Sequence, residues 1–242
     1  MRSLLKLLVL MVVFAVSCSK EQATITDNSY MTGSLARFTI YGDYLYSVTN
    51  TEIKIFHIGT EPAITFRKCI QAGFGIETIF QFDHYLFLGS QTGMYIYDIS
   101  NPESPLRTGI YDHIYACNPL VADSNYAYIT FSSDRWCGNS VNELQIADIS
   151  DKTSPELVKR HSMTNPRGLG IDDTLLFVCD EGLKVLDVSD IMNIQELMHY
   201  NIPAEDVITH QNNLFVIGEN GLYQYRYSED SLLFISKISI FK

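Results

Sequence analysis

Leu175-Leu176-Phe177-Val178-Cys179, followed by Leu183-Lys184-Val185-Leu186-Asp187-Val188-Ser189, reads as two short apolar strands in quick succession. The first strand type returns as Tyr44-Leu45-Tyr46, Tyr85-Leu86-Phe87, Tyr126-Ala127-Tyr128 and Asn213-Leu214-Phe215. Counted in chain order, the five starts lie 41, 41, 49 and 38 residues apart. Short strands on a period of about 40 residues are the mark of a β-propeller blade.

Each repeat divides into four strands, a to d. Strand a is expected over Ala36–Tyr41, Glu77–Phe82, Asn118–Asp123, Arg167–Asp172 and Glu205–His210. Strand b starts eight residues after each a, at the segments quoted above. Strand c covers Ile53–Ile58, Met94–Ile99, Leu144–Ile149, Leu183–Val188 and Leu222–Tyr227. Strand d covers Ile64–Ile70, Leu106–Tyr111, Leu157–Met163, Gln195–Asn201 and Leu233–Ile240. Alternating apolar residues in strand c (Leu144, Ile146; Leu183, Val185) put one face against a neighbouring blade. The expected fold class is all-β, a five-bladed propeller of four-stranded antiparallel blades over residues 34–242. The ring is expected to close by blade-face packing, or alternatively with Ala23–Thr26 adding a strand to the last blade.

Strand c ends in Asp98-Ile99-Ser100, Asp148-Ile149-Ser150 and Asp187-Val188-Ser189. Three copies spread around a ring cannot form one active site. An Asp before a polar turn accepts backbone N–H bonds and pins the c–d hairpin. His57 and Arg226 stand at this position in the less regular terminal repeats. Gly182–Ser189 and Leu144–Ser150 resemble the LVIVD repeat of exported bacterial propeller proteins. That resemblance implies a propeller, often on a lipoprotein, and brings no catalytic residues with it.

Residues 1–17 stand apart from the fold. Arg2 and Lys6 precede a ten-residue apolar run, Leu7 to Val16, then Ser17 and Cys18. The run has the length of a signal-peptide core and is too short to span a bilayer. Ala15-Val16-Ser17-Cys18 resembles the lipobox of bacterial lipoproteins, with Ala15 where Leu is usual. Lipidation of Cys18 is therefore expected, with 18–33 as a polar tether. The expected location is the bacterial envelope, anchored to the membrane on its periplasmic or surface side. Lys20-Glu21 resembles signals for the outer surface. Without Arg2 and Lys6, 15 basic residues face 28 acidic ones. So acidic a surface repels phosphate backbones, which excludes nucleic acid as a partner class. A monomer is expected.

Four cysteines remain in an oxidising compartment. Cys117 precedes strand a of blade three, and Cys137 lies in that blade's long b–c connection. Both connections emerge on one face, so these two thiols can meet, and the family resemblance supports their pairing. Cys69 and Cys179 lie far apart in the ring and are expected as buried small hydrophobes.

Propellers bind at the channel mouth made by the d–a and b–c connections. The repeat register puts Ala36, Glu77, Asn118, Arg167 and Glu205 at its rim, with Asp206 adjacent. Arg167 suits an anionic group, and the carboxylates suit hydroxyls or a cation. Trp136, the single Trp, belongs to the blade-three loop beside Cys137 and suits sugar stacking or protein contact. Asp112-His113 reads as a surface pair. Gly-x-Ser-x-Gly, His-Glu-x-x-His, Walker and Cys-x-x-Cys motifs do not occur. The sequence thus points to a non-enzymatic binding or scaffold module for a protein, a small polar molecule or a carbohydrate, without metal or cofactor. A hydrolase or lyase using mouth carboxylates, and a structural spacer, stay open beside it.

Overall fold

The computed structural model describes residues 33–59, 63–112, 119–133, 141–228 and 231–240. Twenty strands form five antiparallel sheets of four, each ordered from the inside outward along the chain. Blade one holds β1 (Phe38–Tyr41), β2 (Tyr44–Val48), β3 (Glu52–His57) and β4 (Thr65–Gln71). Blade two holds β5 (Ile76–Phe82), β6 (Tyr85–Ser90), β7 (Gly93–Asp98) and β8 (Leu106–Asp112). Blade three holds β9 (Leu120–Ala122), β10 (Tyr126–Phe131), β11 (Glu143–Asp148) and β12 (Glu156–Ser162). Blade four holds β13 (Pro166–Asp172), β14 (Leu175–Asp180), β15 (Leu183–Asp187) and β16 (Gln195–Tyr200). Blade five holds β17 (Asp206–His210), β18 (Asn213–Gly218), β19 (Gly221–Ser228) and β20 (Ser231–Ser239). Every strand read from the sequence is present, with ends shifted by at most two residues.

Strand alternation sends successive side chains to the two neighbouring blades. Leu86 and Leu88 pack toward blade one, whereas Phe87 packs toward blade three. Four apolar clusters result, one at each seam from blades one–two to four–five. Their members are almost all fully buried, each large side chain contributing roughly 1.5–3 kcal/mol. Tyrosine hydroxyls tie the same seams: Tyr46 donates to the Pro102 carbonyl at 2.9 Å, Tyr97 to that of Ala72 at 2.9 Å, and Tyr111 to Gln145 Oε1 at 2.7 Å.

The repeated Asp performs the turn role. Asp98, Asp148 and Asp187 accept the amides of Ser100, Ser150 and Ser189 at 2.7, 2.8 and 2.8 Å. Hydrogen bonds from those serines hold all three carboxyls below the usual range. One feature escapes any sequence pattern: each c–d pair shifts register once, at Ile55/Phe56, Ile96/Tyr97, Ile146/Ala147, Val185/Leu186 and Gln224/Tyr225. Bulges of this kind turn an outer edge away from unwanted pairing.

The fifth seam corrects the expectation of closure by face packing. Among the described residues no apolar cluster joins blades five and one, and their strands do not pack closely. The reason lies in the outward faces. Blade one turns Ser47 and Lys54 outward with Leu45 and Phe56, and blade five turns Gln224 and Arg226 with Phe215 and Ile217. Polar side chains thus stand among the apolar ones on both faces of this seam. The tie runs instead through a single 3-10 turn, Gly33–Leu35, set over the channel against β5, β9, β13 and β17. Ser34 Oγ donates to Asp206 Oδ1 at 2.9 Å and accepts the Leu169 amide at 3.0 Å. The Leu35 amide reaches Asp206 Oδ2 at 3.4 Å. Whether Ala23–Thr26 adds a strand lies outside the described residues.

Cys69 also departs from expectation. It sits half-buried on the outer strand β4 and is disulfide-bonded rather than packed as a free hydrophobe. On an outermost strand its thiol is accessible to another segment, unlike a thiol inside a seam. Cys179 does lie buried in the blade four–five cluster. Cys18 and the expected Cys117–Cys137 bond lie outside the described residues. Non-reducing peptide mapping is expected to recover Cys69 in a linked peptide. Thiol labelling should reach Cys179 only after unfolding, and labelling in the native state would contradict its burial.

Candidate functional site

The sequence expectation brought five polar positions to one mouth. The structure brings two of them together, Arg167 and Glu205, as an ion pair across the blade four–five boundary. They meet because β13 and β17 start side by side, the Gly168 amide donating to the Glu205 carbonyl at 3.0 Å. The Arg167 carbonyl accepts from Thr130 Oγ1 of blade three at 2.6 Å, which fixes the arginine backbone on its other side. Both charged groups remain open to solvent, 37% and 46% exposed.

The pair forms one wall of a pocket of about 280 Å³, completed by Asn165, Glu181, Cys179 and Ala204. Its floor is rigid. The Asp180 carboxylate is fully buried and accepts the Thr164 amide at 3.1 Å, the Asn165 amide and Lys184 Nζ at 2.8 Å. Burial alone pushes this carboxyl up, but the bonds from Lys184, Asn165 and Thr164 outweigh it and hold it below the usual range. Lys184 is burdened by burial as well, and its bond to Asp180 raises it. Asn165 Oδ1 in turn accepts Ser132 Oγ at 2.7 Å. The rim turn Glu181-Gly182 takes positive φ at both residues, 50° and 126°. That backbone suits a two-residue hairpin, and at Gly182 a Cβ would stand 2.4 Å from the Tyr200 carbonyl oxygen.

The other expected residues fall elsewhere. Glu77 lies on blade two and accepts Gln91 Nε2 at 3.1 Å, away from the pocket wall. Asp206 is fully buried, its carboxylate engaged by Ser34 and Leu35. Ala36 lines the central channel. Asn118, Trp136, Cys117, Cys137, His113 and Cys18 lie outside the described residues. Asn165 and Glu181 were missed because the repeat register ranks strand starts, whereas these residues sit in the preceding connection and the opposing hairpin. The Glu-Gly pair was the available signal. Among the described residues, no group of three or more His, Cys, Asp or Glu side chains is placed to hold a metal ion. No described helix is long and apolar enough to cross a membrane.

The LVIVD repeat family matches residues 82–113 and 116–162, which are strands b to d of blade two and the whole of blade three. No curated protein matches the sequence. Among solved structures, a functionally unknown protein from Desulfotomaculum acetoxidans aligns at 12% identity and TM-score 0.65, over 84% of this chain and 69% of that one. A Lactobacillus plantarum protein aligns at 12% identity and TM-score 0.64, over 82% and 69%. A putative 6-phosphogluconolactonase from Bacteroides fragilis aligns at 12% identity and TM-score 0.61, over 84% and 69%. Likeness at such identity speaks for the fold alone. With the repeat matched in two blades and five four-stranded blades in place, the chain is a β-propeller that carries LVIVD repeats in blades two and three.

Proposed function

We propose a non-enzymatic binding module of the bacterial envelope, held to the membrane through Cys18, that takes a small hydroxyl-rich ligand of the carbohydrate type. The observation that carries this reading is the Arg167–Glu205 pair in the wall of the pocket of about 280 Å³. Because Glu205 already neutralises the guanidinium and Glu181 adds a second carboxylate, the site is poorly suited to a free anion. It does offer spare N–H donors and a carboxylate acceptor side by side. A sugar hydroxyl donates and accepts at once and matches both. Trp136 remains the proposed stacking residue above this mouth.

The test is a saturation-transfer NMR and calorimetric screen of mono- and disaccharides. Arg167→Ala is expected to weaken the best ligand at least tenfold, which corresponds to about 1.4 kcal/mol. Thermal stability should barely change, since an exposed ion pair contributes little. No sugar binding, or equal binding by Arg167→Ala, would remove this reading. Capture from intact envelopes with Trp136→Ala tests the role proposed for that residue separately. A hydrolase stays the alternative reading; two proteins that share the fold are putative 6-phosphogluconolactonases of Bacteroides fragilis and Bacteroides uniformis. Turnover of a sugar lactone that Arg167→Ala or Glu205→Gln abolishes would favour it.

A further inference from the structure

The central cavity forms a separate site of opposite chemistry, and we propose that it binds the hydrocarbon tail of a free fatty acid. Its volume is about 480 Å³, within the range of roughly 300–1,000 Å³ typical of small-molecule sites. The inner strands of all five blades line it, and no charged side chain does.

The decisive contrast is between inner-strand residues at the closed seams and those at the open one. Ile79 and Val207 are each 1% exposed at closed seams, whereas Phe38, Ile40 and Ile208 are 36%, 51% and 41% exposed. These three flank the open fifth seam and face the cavity. Exposed apolar groups gathered around one concave space mark a binding surface. Water is a poor tenant, because a buried water needs two to four polar partners. Three of the four polar side chains in the wall are already committed: Ser34 to Asp206, Gln81 to the Asp83 carbonyl, and Thr209 to the Ile171 carbonyl at 2.8 Å. The turn at Ser34 stoppers one end. A ligand therefore enters from the opposite end or along the seam, tail first, and leaves its head in solvent. A slender, unbranched and uncharged tail meets these constraints.

The test titrates the purified, delipidated full chain with a fluorescent polyene fatty acid. Saturable binding at one site per chain is expected, weakened at least tenfold by Ile40→Glu and by Ile208→Glu. Both side chains are exposed, so the substitutions leave the packed seams intact, and an unchanged melting temperature verifies this. Arg167→Ala should bind the probe like wild type, which separates this site from the sugar pocket. Cys18→Ala should also bind it equally; tighter binding by that variant would mean that the chain's own lipid fills the cavity, and would overturn the proposal. So would absence of binding, or equal binding by both Glu variants, which would place the probe on the apolar outer strand β20. Light scattering gives the last outcome: a dimer that Ile40→Glu dissolves would show a second copy as the occupant instead.

Discussion

Replacing Asp180 by Ala is expected to destabilise the propeller by about 3 kcal/mol, since it strips a fully buried hydrogen-bonded charge from its partners. Two backbone amides and Lys184 lose their acceptor at once. The nearby Glu196, 3.7 Å from Lys184 Nζ, limits the loss by retaining the lysine. For a domain of this size that is a fall of about 10 °C in melting temperature. Asp180→Asn keeps the shape and one acceptor and should lose less. The pH dependence follows from the sign of the shift. The folded carboxyl titrates below its unfolded value of about 3.9, so the stabilisation is present above that value and fades as pH falls through the folded one. Denaturant midpoints taken between neutral and acid pH should therefore converge for wild type and Asp180→Ala. Midpoints that differ by the same amount at every pH would refute the assignment. The same variant should weaken sugar binding, because Asp180 sets the backbone of Asn165 in the pocket.

A methyl group at Gly168 is the second large effect. Its Cβ would stand 2.0 Å from Asp206 Oδ1 and 2.6 Å from Asp206 Cα. Side-chain rotation cannot relieve the second contact, so backbone must move. Gly168→Ala is expected to cost about 3 kcal/mol, the upper part of the overpacking range. The cost falls on the tie that the Gly33–Leu35 turn makes to blades four and five, which matters because no apolar cluster joins blades five and one among the described residues. Hydrogen exchange should accelerate at the amides of Leu35 and Leu169, both held through Asp206 and Ser34. Combining Gly168→Ala with Asp206→Ala should cost less than the two single losses together, because the second change removes the side-chain part of the clash and leaves only the contact with Cα. Strict additivity would show that the glycine serves another purpose.

The strand pattern was fully legible. Apolar alternation and the recurring Asp-Ile-Ser turn depend on near neighbours, so the sequence carried twenty strands and their sheets without help. The repeat register also places Arg167 and Glu205 near each other, because adjacent blades put equivalent positions side by side. It failed for Glu77, which lies across the ring, and for Asp206, whose role depends on Ser34, 172 positions away in the chain. It could not see the bulge in each outer pair, the paired state of Cys69, or the unpacked fifth seam.

Chain chemistry alone determined the blade count, the strand order and the turn carboxylates, since each rests on contacts within about forty residues. Only the tertiary structure decided how the ring is fastened, which two polar groups share a pocket, and that the channel wall is apolar. Those outcomes depend on the angle between successive blades, and that angle is set by side chains meeting across seams rather than by any local pattern.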